Sequence, residues 1–185
     1  MNTKEYIESV YKHALVRKAR DFAEKKHQGQ TRRDGTPYFA HPTRVADNIK
    51  KYKQSEELPS LIAAAFMHDT IEDGNATVLE IKELFGDLVA DLVHELTSDE
   101  EEKIKMGKTP YLVKKMLKMS DWALVIKLAD RLDNVSDLET QTDEFKKKYK
   151  LETETIIDSL LRDRRLTNTQ KKIINQIQKK LYKVK

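Results

Sequence analysis

The sequence contains no cysteine among its 185 residues. Disulfide bonds and thiolate chemistry are therefore excluded, and any bound metal has to be held by histidine and carboxylate side chains. A reducing cytoplasm is the default expectation for such a chain. No apolar run approaches the ~18–20 residues needed to cross a bilayer, and the opening residues MNTKEYIESVYKHA lack the hydrophobic segment of a secretory signal. We therefore expect no membrane partner.

A strong charge of one sign is also missing. The chain has 35 basic and 31 acidic residues, and its net charge is only +4. Because the two signs are interspersed, charge alone does not indicate nucleic-acid binding, and no nucleic-acid partner is expected. With 38% hydrophobic and 36% charged residues, the composition is typical of a folded domain.

Strand-like alternation is scarce, whereas apolar residues recur at spacings of three and four along most of the chain. The predicted fold class is all-α, a bundle of about eight to ten helices forming one domain over residues 1–185. The main predicted helices cover residues 6–23, 58–73, 111–119, 145–161 and 168–182. In the basic segment 165–185, the helix is expected to bury Ile173, Ile174, Ile177 and Leu181 and to expose its lysines.

Two segments are predicted to be loops. Residues 29–42 contain two glycines and two prolines, and a short hairpin around Asp34 and Gly35 is the one candidate for β-structure. Pro42 is expected to open the next helix. The charged stretch 98–110 is predicted to be a mobile loop.

The stretch LIAAAFMHDTIEDG, residues 61–74, breaks several local rules at once. A helix this apolar should be buried, yet it ends on His68 and Asp69, with Glu72 and Asp73 close behind. Unpaired carboxylates are costly to bury, and they lie here at the negative end of the helix dipole. Such a conflict predicts a functional site with a compensating charge.

A divalent cation would supply that charge. His41 stands directly before a predicted helix, and Asp130 ends a second very apolar helix. With His68 and Asp69 they form a mixed nitrogen and oxygen set that suits Mn²⁺, Fe²⁺ or Mg²⁺ better than a closed zinc site. The alternatives stay open: His41 as a helix cap, and Asp130 paired with Lys127 or Arg131.

Further side chains fit a reaction at such a metal. Glu72 and Asp73 follow Asp69 by three and four residues, so a continuing helix would place them on the ligand side to orient water or move its proton. The alternative is that both face solvent at a frayed end. Arg32 and Arg33 would bind phosphate or stack on a base, or form a solvated pair. Asn134 would bind a sugar or phosphate, or cap its helix.

The segments HQGQTRRDGTPYFAHP (27–42), HDTIED (68–73) and KLADRLDN (127–134) together resemble the hydrolase half of the RelA/SpoT alarmone enzymes, which belongs to the HD-domain metal phosphohydrolases. The resemblance covers residues 14–138. It implies an alarmone hydrolase that uses one Mn²⁺ ion per chain as a 3′-pyrophosphohydrolase of (p)ppGpp, a guanine nucleotide. Because 185 residues leave no room for a synthetase domain, a stand-alone hydrolase is expected.

The resemblance also implies roles for particular residues. The metal ligands would be His41, His68, Asp69 and Asp130, and the acids acting on water would be Glu72 and Asp73. The substrate side would comprise Arg32, Arg33, Asn134 and Tyr149. Alternative functions are hydrolysis of (p)ppApp or of the 2′-phosphate of NADPH, and an alarmone-binding or antitoxin module. The oligomeric state stays open.

Overall fold

A computed structural model describes residues 9–32 and 34–184, and helices make up most of this part of the chain. Ten α-helices have both ends within it, and residues 9–12 are also helical. In chain order the α-helices are α1 Ala14–Lys26, α2 Ala40–Tyr52, α3 Leu58–Met67, α4 Val78–Phe85, α5 Asp87–Leu96, α6 Glu100–Met106, α7 Lys108–Lys118, α8 Asp121–Ser136, α9 Asp143–Asp163 and α10 Asn168–Lys183. A short 3₁₀ helix, Leu138–Thr140, follows α8. The predicted all-α class is confirmed.

The chain divides into two units at Thr97 and Ser98. In the first unit, α3 packs against α1, α2 and α5, while α4 packs against α5. Every residue of α3 from Leu61 to Met67 is buried, because its apolar residues surround the helix instead of forming one stripe. This unit therefore has α3 as its central helix.

The second unit, residues 98–185, contains the remaining helices. Here α8 packs against α10, and α9 packs against both α7 and α10. The predicted apolar stripe of the last helix is confirmed, since its four members are all buried: Ile173, Ile174, Ile177 and Leu181. The single-domain expectation for residues 1–185 stays a prediction.

Two predictions about helices were wrong, one about continuity and one about a start; residues 6–8 of the first predicted helix lie outside the described residues. The helix predicted over residues 6–23 is interrupted at His13, which has an extended backbone (φ −64°, ψ 132°) and accepts a hydrogen bond from Leu15 N through Nδ1. The next helix begins at Ala40, two residues before Pro42. Proline is tolerated there because the first N–H groups of a helix have no partner within it.

The helix predicted to run to residue 73 ends at Met67, and turns cover residues 68–73. The expected hairpin is reduced to a single antiparallel bridge between Thr31 and Pro37. No helix in the described residues is long and apolar enough to cross a membrane.

The prediction of a loop at 98–110 was wrong. The structure has α6 in this segment, and α7 begins at Lys108. Asp99 caps α6 by accepting a hydrogen bond from Glu102 N at 2.9 Å. Acidic residues fill the first turn of α6 and lysines its last turn, so the charges that suggested a solvated loop instead complement the helix dipole.

Candidate metal centre

His41 lies buried in the first turn of α2. The loop before it needs the left-handed backbone of Gly29 (φ 81°) and Gly35 (φ 82°). Tyr38 N then donates to Gln30 O at 2.9 Å, and His41 N donates to Tyr38 O at 2.9 Å. The glycine-rich loop thus folds back on itself and brings the His41 ring into the interior of the first unit.

His68 is the buried residue directly after α3. Its Nδ1 lies 2.8 Å from Ala65 O. Because a carbonyl oxygen can only accept, Nδ1 carries the hydrogen, and Nε2 of the neutral ring holds the lone pair. Metal-binding histidines are usually held in this way by a backbone carbonyl on the other ring nitrogen.

Asp69 joins the two histidines. Its Oδ2 lies 3.0 Å from His68 Nε2 and 4.0 Å from His41 Nε2. The two imidazole centroids are 5.2 Å apart, and a ring nitrogen of each lies within 4.8 Å of one in the other. The Tyr38 hydroxyl donates to the same Asp69 oxygen at 2.5 Å.

The chemistry of this group fits a cation. Nε2 of neutral His68 and a carboxylate oxygen are both acceptors, so they attract each other only through a shared proton or metal ion. Two imidazole nitrogens and a carboxylate oxygen are ligands that divalent transition metals accept. His41, His68 and Asp69 could therefore hold part of a metal's coordination shell.

Glu72 and Asp73 lie at the surface in the turns after α3. Asp73 N donates to Asp69 O at 2.9 Å, so Asp73 stays one helical turn beyond Asp69 although the helix has ended. Desolvation, followed by the negative charges of Asp69 and Glu72, raises the pKa of the Asp73 carboxyl. His27 and the Tyr38 hydroxyl act in the opposite direction.

In the second unit, Asp130 is buried near the middle of α8. Lys127 Nζ donates to its Oδ2 at 2.9 Å, and Asn134 Nδ2 donates to its Oδ1 at 2.7 Å. The suggested partner Lys127 is therefore found, whereas Arg131 binds Glu152. Two donors from its own helix hold the Asp130 carboxylate in one orientation, as is common for carboxylates that bind metals.

Tyr149 lies on α9 in a cluster of aromatic and cationic side chains. The Phe145 ring stacks on it at 5.8 Å, and the Arg131 guanidinium carbon lies 5.1 Å from its centroid. Burial raises the pKa of Tyr149 to about 12. The shift extends the pH range over which the phenol stays neutral and can donate a hydrogen bond.

Of the two arginines predicted to bind substrate, the structure describes only Arg32. Arg32 is half-buried, and its main chain closes the loop by hydrogen bonds with Thr36 O (2.8 Å) and Gly35 N (2.9 Å). Arg33 lies outside the described residues. The substrate roles of both stay predictions.

Sequence reasoning missed three side chains around this centre. The Tyr38 hydroxyl donates to Asp69. Gln30 donates to the main-chain oxygen of Asp73, and His27 hydrogen-bonds Gln30. All three belong to the segment 27–42, and Tyr38 is only three residues before His41. Their proximity in sequence to a candidate ligand was the available signal.

The HD domain family matches residues 19–165, which is more than half of the chain. With the all-α fold and the His/Asp cluster, this match defines the class of protein. The chain belongs to the HD-domain family.

Within the family, the chain is similar to two proteins called guanosine-3′,5′-bis(diphosphate) 3′-pyrophosphohydrolase. It is 37% identical to MESH1 of Xenopus tropicalis over 71% of this chain and 73% of that protein. It is 38% identical to an Aquifex aeolicus protein over 75% of this chain. The match spans only 20% of the Aquifex protein.

Solved structures show the same likeness. A metazoan ortholog of SpoT, described as hydrolysing ppGpp, matches with a TM-score of 0.75 and 28% identity, over 91% of this chain and 97% of that one. A Listeria monocytogenes protein matches with a TM-score of 0.61 at 20% identity, over 77% of this chain and 99% of that one. The second likeness concerns the fold alone.

Proposed function

We propose that the chain is a metal-dependent 3′-pyrophosphohydrolase that converts (p)ppGpp to GDP or GTP and pyrophosphate. The observation that carries the proposal is the group formed by the buried His41 and His68 with the half-buried Asp69, in which a histidine nitrogen faces a carboxylate oxygen at 3.0 Å. The relatives named for this reaction support the choice of substrate.

The proposed metal is one Mn²⁺ ion held by His41, His68, Asp69 and Asp130. The absence of cysteine and the mixed nitrogen and oxygen ligands favour a harder divalent ion over a structural zinc. Asp130 is proposed as the fourth ligand because it is a buried carboxylate within the matched family range. When bound, such an ion lowers the pKa of water and neutralises phosphate charge.

Glu72 and Asp73 are proposed to orient the attacking water and to take its proton. In the reaction, the water oxygen bonds to the phosphorus attached at the 3′ position, and the bond from that phosphorus to the 3′ oxygen breaks. The 3′ oxygen takes up a proton and pyrophosphate leaves. The position of Asp73, one turn from Asp69, supports this role.

The substrate side is proposed to comprise Arg32, Arg33, Asn134 and Tyr149. The Tyr149 hydroxyl is protonated near pH 7, as a phenol ordinarily is, and can donate to a phosphate or sugar oxygen. Asn134 already donates to Asp130, so its amide is fixed beside a proposed ligand. A cytoplasmic location is part of the same proposal.

The test is pyrophosphate release from ppGpp by the purified chain with Mn²⁺, with Mg²⁺ and with a chelator. We expect Mn²⁺ to support turnover and the chelator to stop it. Asp73→Asn should abolish turnover while calorimetry still shows Mn²⁺ binding. Asp91→Asn, at an exposed position on α5, is the matched control and should keep full activity.

The same assay with (p)ppApp and NADPH ranks the alternative substrates. Failure of every metal to support pyrophosphate release from ppGpp would reject the proposed function. Binding of ppGpp without turnover would instead support the alarmone-binding module.

A further inference from the structure

The side chains of His27 and Gln30 are linked by hydrogen bonds to the main chain of Asp73 and have no role in the proposed reaction. His27, buried at the end of α1, has its Nδ1 2.8 Å from Gln30 Oε1. Gln30 Nε2 in turn donates to the main-chain oxygen of Asp73 at 2.6 Å. The side chains of His27 and Gln30 therefore connect the end of α1 to the turn that carries the proposed catalytic acids.

The direction of each hydrogen bond follows from the atoms involved. The Asp73 carbonyl can only accept, so the amide nitrogen of Gln30 must face it. The amide oxygen of Gln30 then faces His27, whose Nδ1 must carry the hydrogen. Both donors are thus determined by the carbonyl of Asp73.

The same two residues also contact Tyr38. The His27 ring lies 4.7 Å from the Tyr38 ring, and Gln30 O accepts a hydrogen bond from Tyr38 N at 2.9 Å. The Tyr38 hydroxyl in turn donates a hydrogen bond to Asp69, and its proximity to Asp73 partly offsets the desolvation that raises the pKa of the Asp73 carboxyl. Within the described residues, the buried Nε2 of His27 makes no hydrogen bond, so all the hydrogen bonding of this side chain goes to Gln30.

We infer that Gln30 and His27 are positioning residues that hold the main chain of Asp73 so that its carboxylate points in the productive direction. The inference rests on the proposed function. Asp73 follows the end of α3 and lies at the surface. Because α3 ends at Met67 and does not continue to supply a donor to the main-chain oxygen of Asp73, the hydrogen bond from Gln30 holds this oxygen in place. A misplacement of about 1 Å in a catalytic group costs on the order of a hundredfold in rate.

Gln30→Glu is the sharpest variant because it keeps the size of the side chain and replaces the amide donor with a negatively charged acceptor. A carboxylate oxygen would then face the Asp73 carbonyl oxygen, and the two acceptors would repel. The matched control is Gln28→Glu, which adds the same charge at an exposed position two residues away. We expect Gln30→Glu to lower kcat for ppGpp at least about tenfold, with KM changed less than about twofold. Gln28→Glu should match the unchanged protein.

Hydrogen exchange of the peptide covering residues 68–76 gives a readout that does not need activity. The Gln30→Glu variant should exchange faster there than the Gln28→Glu variant, while Mn²⁺ affinity stays the same. If the unchanged protein fails to hydrolyse ppGpp, the proposed function fails, and this exchange still tests the hydrogen bond from Gln30. Equal kcat and equal exchange in the two variants would overturn the inference.

His27 is tested by a second pair. His27→Asn keeps a donor near the position of Nδ1, whereas His27→Phe keeps a ring against Tyr38 but has no donor. We expect the asparagine variant to keep the higher kcat. The reverse order would show that His27 contributes ring packing, and would remove it from the positioning pair. If Gln30→Glu does not fold, Gln30→Ala replaces it, and an unchanged kcat there would equally overturn the inference.

Discussion

Replacing Glu152 with glutamine is expected to destabilise the second unit strongly. Glu152 and Arg131 have side chains that are each only 5% exposed. Both terminal nitrogens of Arg131 donate to Glu152 Oε1 at 3.2 Å, and Lys108 Nζ lies 3.2 Å from Oε2. The Glu152 carboxylate therefore balances the positive charges of both Arg131 and Lys108, and Arg131 is buried.

The expected cost follows from the charge left behind. After the change, Arg131 keeps its charge, and Thr153 Oγ1 at 2.8 Å is a remaining neutral acceptor. Breaking a buried ion pair by removing one partner costs about 3–5 kcal/mol. Because the glutamine oxygen can still accept one hydrogen bond, we expect a loss of about 3 kcal/mol in the free energy of unfolding.

The matched control is Glu100→Gln in α6. Glu100 lies 2.7 Å from Lys103, which is a shorter contact, but its side chain is 59% exposed. An exposed pair contributes about 0–1 kcal/mol because water screens it. The comparison thus separates burial from distance as the cause of the stabilisation.

Urea unfolding followed by the fluorescence of Trp122, the only tryptophan in the chain, reports on the second unit. The free energies come from linear extrapolation. The double variant Arg131→Met with Glu152→Gln should be more stable than Glu152→Gln alone, since it does not leave the Arg131 charge buried without its partner. A cost below about 1 kcal/mol for Glu152→Gln would refute this account of the buried pair.

Three further predictions concern the core, the turn and the half-buried phenol of Tyr149. Phe66→Ala should lower the free energy of unfolding, measured in urea, by about 3–5 kcal/mol because Phe66 is fully buried. Leu79→Ala, at an exposed position, should change it by no more than about 0.5 kcal/mol. Equal losses would contradict the assigned core. Gly74→Ala should lower the free energy of unfolding by about 1–3 kcal/mol and lower ppGpp turnover, because the added Cβ would lie 2.8 Å from Thr70 O. An unchanged free energy of unfolding would show that the turn at residues 70–74 adapts to the extra atom. Subtracting the ultraviolet titration of Tyr149→Phe from that of the unchanged protein should reveal one phenol titrating near pH 12. Since the fold favours the neutral phenol, its contribution to stability is complete below about pH 10 and is lost as the pH rises towards 12. A difference curve centred near pH 10 would contradict the raised pKa of Tyr149.

The helices could be predicted wherever an apolar stripe recurs at helical spacing. In α10 the stripe identified both the helix and its buried face. The same reasoning failed at residues 98–110, where charge was interpreted as solvation. Glu100, Glu102 and Lys103 stand in an order that suits a helix, but a segment with no apolar stripe carries no periodic signal.

The candidate ligands could also be chosen from sequence, because acids that directly follow apolar runs are costly to bury unless something compensates them. The helix of Asp130 nevertheless continues to Ser136, contrary to the prediction that it ends at this acid. Some hydrogen-bond partners of these acids are also close in sequence. Lys127 and Asn134, which bind Asp130, lie three and four residues from it, so helical spacing alone predicts that they are neighbours of Asp130.

What only the tertiary structure decided is which distant group each polar side chain meets. Gln30 binds the main chain of Asp73, and Arg131 binds Glu152. These partners are 43 and 21 residues apart in the chain, so no local pattern relates them. The sequence by itself determined the helices that carry an apolar stripe and the charges that needed compensation, since both depend on near neighbours. The packing of the helices decided where the compensation comes from.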